Sequence, residues 1–211
     1  EALDAAQAVA SGFGLTLRLG MTQLTAHQAV VPVLRRFRAA HPQARIKLSE
    51  GTTWSLERDV EQGNIDAAFL HPPLHAPGLA QRVLARSNVV LANLSAQESA
   101  PLISYPRSEA PVMMGRVEGA LTPERTNPQS TGTDPIGASE GNTAIACLSL
   151  SAAGYGTALV TEDLPDFGFD IAKVRTKDAL FELETSIAWR KLDRRPIIKS
   201  LIASCNAIHG D

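Results

Sequence analysis

Between Leu15 and Leu70 the hydrophobic period changes from two to about 3.6 and back, twice over, and this rhythm limits the fold more than any other feature. Leu15, Leu17 and Leu19 alternate with Thr16 and Arg18, the pattern of a strand. Val30, Val31, Leu34 and Phe37 then recur at helical spacing until His41-Pro42 stops the helix. Residues 45–49 alternate again as a second strand. Thr52 or Thr53 is placed to cap a helix running to Gln62, with Gly63 just beyond its end. Ile65 to Leu70 is a third, mostly buried strand. Strand, helix, strand, helix, strand in this order predicts a doubly wound α/β unit with parallel strands. Ligands of such sheets sit beyond the carboxyl ends of the strands, where helix N-termini also point. The loops at 21–28, 51–55 and 71–77 all lie at that end.

A second pass of similar kind follows. Residues 79–83 and 88–92 read as two extended segments leading out of the first lobe. Then come a strand at 102–105, a helix at 111–120, a strand at 135–139, a helix at 142–153 stopped by Gly154, and a buried strand at 157–160. Residues 122–134, rich in Thr, Pro, Asn and Gly, form an irregular loop in this reading. Residues 181–189 alternate as a long strand and 196–208 make a last amphipathic helix. The opening residues 1–10, alanine-rich and ended by Ser11-Gly12-Phe13-Gly14, read as the tail of a helix.

Composition excludes several classes of partner. The 211 residues suffice for one substantial core or two small lobes sharing a hinge. A net charge of -2 offers no basic field for nucleic acid, so any DNA contact falls to another part of the protein. No apolar run approaches the roughly 20 residues of a membrane helix, and no membrane partner is expected. The acidic start Glu1-Ala2-Leu3-Asp4 does not look like a signal peptide. Two cysteines, Cys147 and Cys205, give no disulfide framework, and the expected compartment is the cytoplasm.

No catalytic or metal site assembles from the sequence, and no cofactor is expected. His71 and His75 have the spacing of a helical zinc pair, but Pro72 and Pro73 between them forbid the helix. A nucleophile elbow and a phosphate loop are both absent. Hydroxyl and amide side chains do recur at helix starts: Thr22, Gln23, Thr25, Thr52, Thr53, Asn142 and Thr143. Any one of them could simply cap a helix. Three such clusters at the mouths of α/β units favour a small anion such as a carboxylate. Trp54 beside Thr53 is either plain packing or a wall for an aromatic ligand. His71 reads as a switchable donor rather than a fixed cation.

Four stretches resemble the effector-binding domain of LysR-type transcriptional regulators. Leu17-Arg18-Leu19-Gly20 with 31–42 looks like the family's first strand and helix, and Glu50-Gly51-Thr52-Thr53 with 60–69 like its second unit. Residues 151–159 resemble its helix–glycine–strand turn, and Ile187-Ala188-Trp189-Arg190 its last strand. The resemblance implies a periplasmic-binding-protein-like fold of type II, two Rossmann-like lobes joined by a two-strand hinge. Residues 15–91 with 189–211 would form one lobe and 92–188 the other, with 1–14 the end of a linker helix. It also implies a small-molecule effector in the cleft, homodimers or homotetramers, and an N-terminal winged helix-turn-helix that alone touches DNA. No enzymatic activity is implied.

Matched by position, the resemblance places Thr25 or its neighbours Thr22 and Gln23, with Thr53, His71, Pro111, Met113, Asn142 and Thr143, around the ligand, and Trp54 joins them as the candidate wall. The first-strand loop carries one extra residue here, and many relatives have arginine where His71 stands. Residues 92–102 are fewer than usual in the family. The ligand this pattern implies is a small organic anion, an aromatic one among the candidates. The competing reading is a periplasmic solute-binding protein, which shares the fold but has no reason to keep an alanine-rich helix before its first strand.

Overall fold

Phe69 and Leu70 are neighbours on one strand and belong to two different cores, which is why the run before His71 is apolar without alternation. A computed structural model describes residues 16–94, 100–107, 110–120, 136–174 and 180–205. The alanine-rich opening, the loop at 122–134 and the end of the last helix lie outside these residues.

The chain divides into two units, between Ala85 and Arg86 and again between Leu183 and Glu184. These crossings lie a few residues before the lobe boundaries read from the sequence. In the first unit, β1 (Thr16–Met21) runs parallel to β2 (Arg45–Glu50) on one side and β3 (Ala67–Leu70) on the other. The end of β9 (Glu182–Arg190) continues the sheet antiparallel to β3. Helix α1 (Val31–Ala40) packs on one face of the sheet with α5 (Pro196–Ser204). There Leu17, Leu19, Phe69 and Ile187 meet Val33, Phe37, Ile198 and Leu201. Helix α2 (Thr53–Gln62) covers the other face, with Leu56 and Val60 against Ala68, Leu70 and Ala188. Gly20 lets α2 come close, since a Cβ there would collide with Leu56.

Local chemistry sets the ends of α2. Thr52 is its N-cap: the Thr52 hydroxyl accepts from Ser55 N–H at 3.2 Å, and Ser55 Oγ accepts from Thr52 N–H at 3.1 Å. Gly63, at φ 80°, closes the helix in the left-handed region that favours glycine. Before α1 the chain forms a 3-10 turn (Gln23–Thr25) and a π turn (Ala26–Val30), a stretch the sequence leaves as loop.

In the second unit, β4 (Leu79–Asn93), which crosses from the first, pairs antiparallel with β7 (Ala158–Thr161) and β8 (Ala172–Val174). The two extended segments expected at 79–83 and 88–92 are thus one continuous strand of 15 residues. No glycine or proline breaks 84–87, and Leu84 is itself buried. A second pair, β5 (Leu102–Ser104) and β6 (Ile136–Glu140), is parallel. Helix α3 (Pro111–Ala120) and α4 (Ala144–Ala152) complete the unit. Helix α4 starts two residues later than read from the sequence, because Thr143 is its cap and Asn142 lies outside it.

Candidate functional site

The carboxyl ends of β1, β2 and β3 converge on one histidine. His71 follows β3 directly, and its Nδ1 lies 2.9 Å from the Glu184 carbonyl oxygen on β9. A carbonyl only accepts, so Nδ1 carries the proton and Nε2 keeps a lone pair. Thr22 Oγ1, just past β1, lies 3.0 Å from Nε2 and therefore donates to it. The backbone N–H of His71 donates to Thr53 Oγ1, on the first turn of α2, at 3.3 Å. Two chain segments are thus pinned to a single neutral imidazole and a third to the backbone of the same residue.

Desolvation fixes that neutrality. Burial pushes the His71 pKa down to about 4, against a smaller upward pull from the Glu184 carbonyl. The switchable donor expected from the sequence is corrected here: both ring nitrogens are engaged inside the unit, and the ring stays uncharged near neutral pH.

Thr53 is differently placed. Its oxygen already accepts from His71, while its own proton has no acceptor among the described residues. The backbone N–H groups of Thr53 and Trp54 precede the first helical hydrogen bond, which Leu56 N–H makes to Thr52 O at 3.0 Å. These donors converge at the positive end of α2 and suit an anion.

The other expected residues fall around or away from this point. Thr25 is fully buried and its hydroxyl donates to Thr22 O at 2.8 Å, so it shapes the turn rather than facing outward. Gln23 is half-buried on the same turn. The Trp54 side chain is half exposed and stands edge-on to His75, with ring centroids 5.8 Å apart. Pro111 begins α3, and Met113 is half-buried on that helix. Thr143 accepts from Ala146 N–H at 3.1 Å, and Asn142 is exposed just before it. These last four belong to the second unit.

Two buried carboxylates escaped the sequence reading. Glu57, one turn after Thr53, is 4% exposed, and its Oε1 accepts the backbone N–H groups of His75 and Ala76. It therefore ties residues 71–76 to α2, and His75 Nδ1 stands 3.6 Å from its other oxygen. Asp66, at the amino end of β3, is held by Arg18 and Arg195. Its burial pushes the carboxyl pKa up, but hydrogen bonds from Arg18 and Arg195 outweigh this and keep it below the usual range. The signal for Glu57 was its i+4 spacing from Thr53 on the helix face that packs inward. Among the described residues no three His, Cys, Asp or Glu side chains group to hold a metal ion. No helix among the described residues is long and apolar enough to cross a membrane.

Residues 10–208 match the family model of the LysR substrate binding domain. The chain belongs to that family. Its periplasmic-binding-like α/β fold of type II follows from the same match and from solved structures, and the solute-binding-protein alternative gives way to a LysR effector-binding domain. Over 98% of its length this LysR domain is 24% identical to the HTH-type transcriptional regulator AlsR of Bacillus subtilis (strain 168), of which it covers 70%. The BenM effector binding domain with its effector benzoate is similar in structure, at TM-score 0.73 and 22% identity, covering 93% of this chain and 92% of that one. Full-length CbnR complexed with its target DNA aligns at TM-score 0.77 and 21% identity, over 100% of this chain and 76% of that one. Such relatives are transcriptional regulators.

Proposed function

We propose that this LysR effector-binding domain senses a small organic anion, seated on the Thr53 hydroxyl and the free N–H groups at the start of α2. The observation that carries the reading is the pairing of these unmatched donors with a neutral His71. Charge for the anion comes from the helix end, not from a basic side chain. Thr53 and His71 are the central contacts, and Thr22 flanks them. The domain signals without chemistry, works in the cytoplasm, and reaches DNA only through a helix-turn-helix elsewhere in its protein. BenM, a structural neighbour, binds benzoate, an aromatic carboxylate, which supports the ligand class.

The same reading includes self-association, with the α1–β2 face of one copy against the second unit of another. Val31 and Leu48 are exposed there, and Arg35, Arg38, Arg45 and Lys47 are exposed on the same two elements. Residues 86–183 carry seven Lys and Arg against twelve Asp and Glu, a complementary balance.

Calorimetric titration with benzoate, acetate and propionate, each beside its neutral amide, tests the ligand class. The carboxylates should bind at least about tenfold more tightly than the amides, the worth of a charge-assisted hydrogen bond. Equal or tighter binding of the amides would exclude the anion site.

A further inference from the structure

We propose that Thr22 and His71 set ligand specificity, selecting carboxylates that also carry a hydroxyl group. The inference rests on the anion reading of Thr53 and α2, and adds the polarity of the position beside it.

Glu184 O is an acceptor, so the His71 proton sits on Nδ1, 2.9 Å away. The lone pair on Nε2, 3.0 Å from Thr22 Oγ1, then takes the single proton of the Thr22 hydroxyl. Thr22 is left with lone pairs only. It stands at the N-cap of the Gln23–Thr25 turn, yet its side chain makes no cap hydrogen bond, so those lone pairs are not required by the turn. Thr53 has the reverse polarity, since its oxygen receives the His71 N–H and its proton is unmatched.

One histidine therefore fixes a donor on one side and an acceptor on the other. A carboxylate satisfies the donor side. A ligand hydroxyl satisfies Thr22, whereas a second carboxylate or an ether oxygen there meets lone pairs with lone pairs. A hydroxy acid matches both positions and a plain fatty acid only one. The missing neutral hydrogen bond is worth about three- to tenfold in affinity. His71 acts through Thr22 and is a positioning residue. A ring that turned its Nε2 into a donor would free the Thr22 proton to point outward and reverse the preference.

The test compares lactate with propionate and 3-hydroxybutyrate with butyrate by calorimetry, on the wild-type chain, Thr22→Val and Thr22→Ser. The hydroxy acids should bind the wild type about three- to tenfold more tightly. Thr22→Val should bring that ratio close to one, and Thr22→Ser should retain it. Equal binding of both members of each pair to the wild type, or a ratio unchanged in Thr22→Val, overturns the specificity proposal while leaving the anion site intact. Failure of every carboxylate to bind overturns both. Nitrogen NMR of the wild-type His71 ring gives a second readout that needs no variant. The expected tautomer has the proton on Nδ1, and a proton on Nε2 at neutral pH overturns the proposal.

Discussion

Arg195 Nη2 lies 2.8 Å from Asp66 Oδ1, joining residues 129 positions apart at the end of the sheet opposite the candidate site. Arg18 reaches the same carboxylate through its backbone N–H at 2.7 Å and its guanidinium at 3.0 Å. A buried acid thus ties β1, β3 and the start of α5 together. Removing it leaves the Arg18 N–H without its partner, while the two half-exposed guanidinium groups turn to water. Asp66→Ala should cost about 2–4 kcal/mol in denaturant unfolding. Arg195→Ala should cost about 1 kcal/mol or less, because its partner keeps Arg18 and its own side chain is half exposed.

The same carboxylate gives an acid limb to stability. Its pKa is lower in the fold than in the unfolded chain. Its contribution is therefore fully present above the ordinary aspartate range and fades as pH falls through the lower, folded value. Unfolding free energy of the wild type should drop below about pH 4, and Asp66→Asn should flatten that slope, Asp193 keeping its own share.

His71 acts in a separate, milder window. Its pKa is about 4 in the fold against an ordinary 6.5. Above pH 6.5 neither state is protonated and the histidine imposes no penalty. Between 6.5 and 4 the unfolded chain binds the proton and the native one does not, so stability falls as pH falls. The loss approaches roughly 3 kcal/mol and levels off below pH 4. Denaturation midpoints measured from pH 7.5 to 4 should show this slope in the wild type and a flatter one in His71→Gln.

Glu57 is a tie between α2 and the segment that carries His71. Glu57→Ala strands the N–H groups of His75 and Ala76 and should cost about 1–3 kcal/mol. Hydrogen exchange at those two amides should accelerate more than exchange in β1, whereas uniform acceleration would point to global destabilisation instead. Glu57→Gln keeps an accepting oxygen and should restore most of the protection.

Self-association should depend on the exposed apolar pair of α1 and β2. Light scattering of the wild-type chain at high micromolar concentration should give at least a dimer mass. Val31→Asp with Leu48→Asp should give a monomer with an unchanged circular dichroism spectrum. A monomer mass for the wild type would contradict the interface.

The strand–helix rhythm was legible because β1, α1, α2 and β3 each bury one face, or both, in a sheet with helices on either side, and burial writes period into sequence. The cap at Thr52 and the stop at Gly63 were legible for local reasons, a hydroxyl and a left-handed turn. Hydrogen bonds between distant segments were not. Nothing near His71 in the sequence announces that Glu184, 113 residues later, will fix its tautomer. Thr25 misled because a hydroxyl at a helix start looks alike whether it faces solvent or folds back onto Thr22. Leu79–Asn93 misled in the opposite way: the polar stretch around Ser87 suggested a break, yet its backbone continues the strand.

The most direct test of the anion site is calorimetry with benzoate and propionate on the wild type and on Thr53→Val. The substitution keeps the side chain's shape and removes both the free donor and the oxygen that receives the His71 N–H. Affinity for the better carboxylate should fall by about tenfold or more, equivalent to roughly 1–3 kcal/mol, while the stranded His71 N–H lowers the unfolding free energy by about 1 kcal/mol and leaves the fold intact. Unchanged affinity in Thr53→Val, with the fold intact, would contradict the assignment.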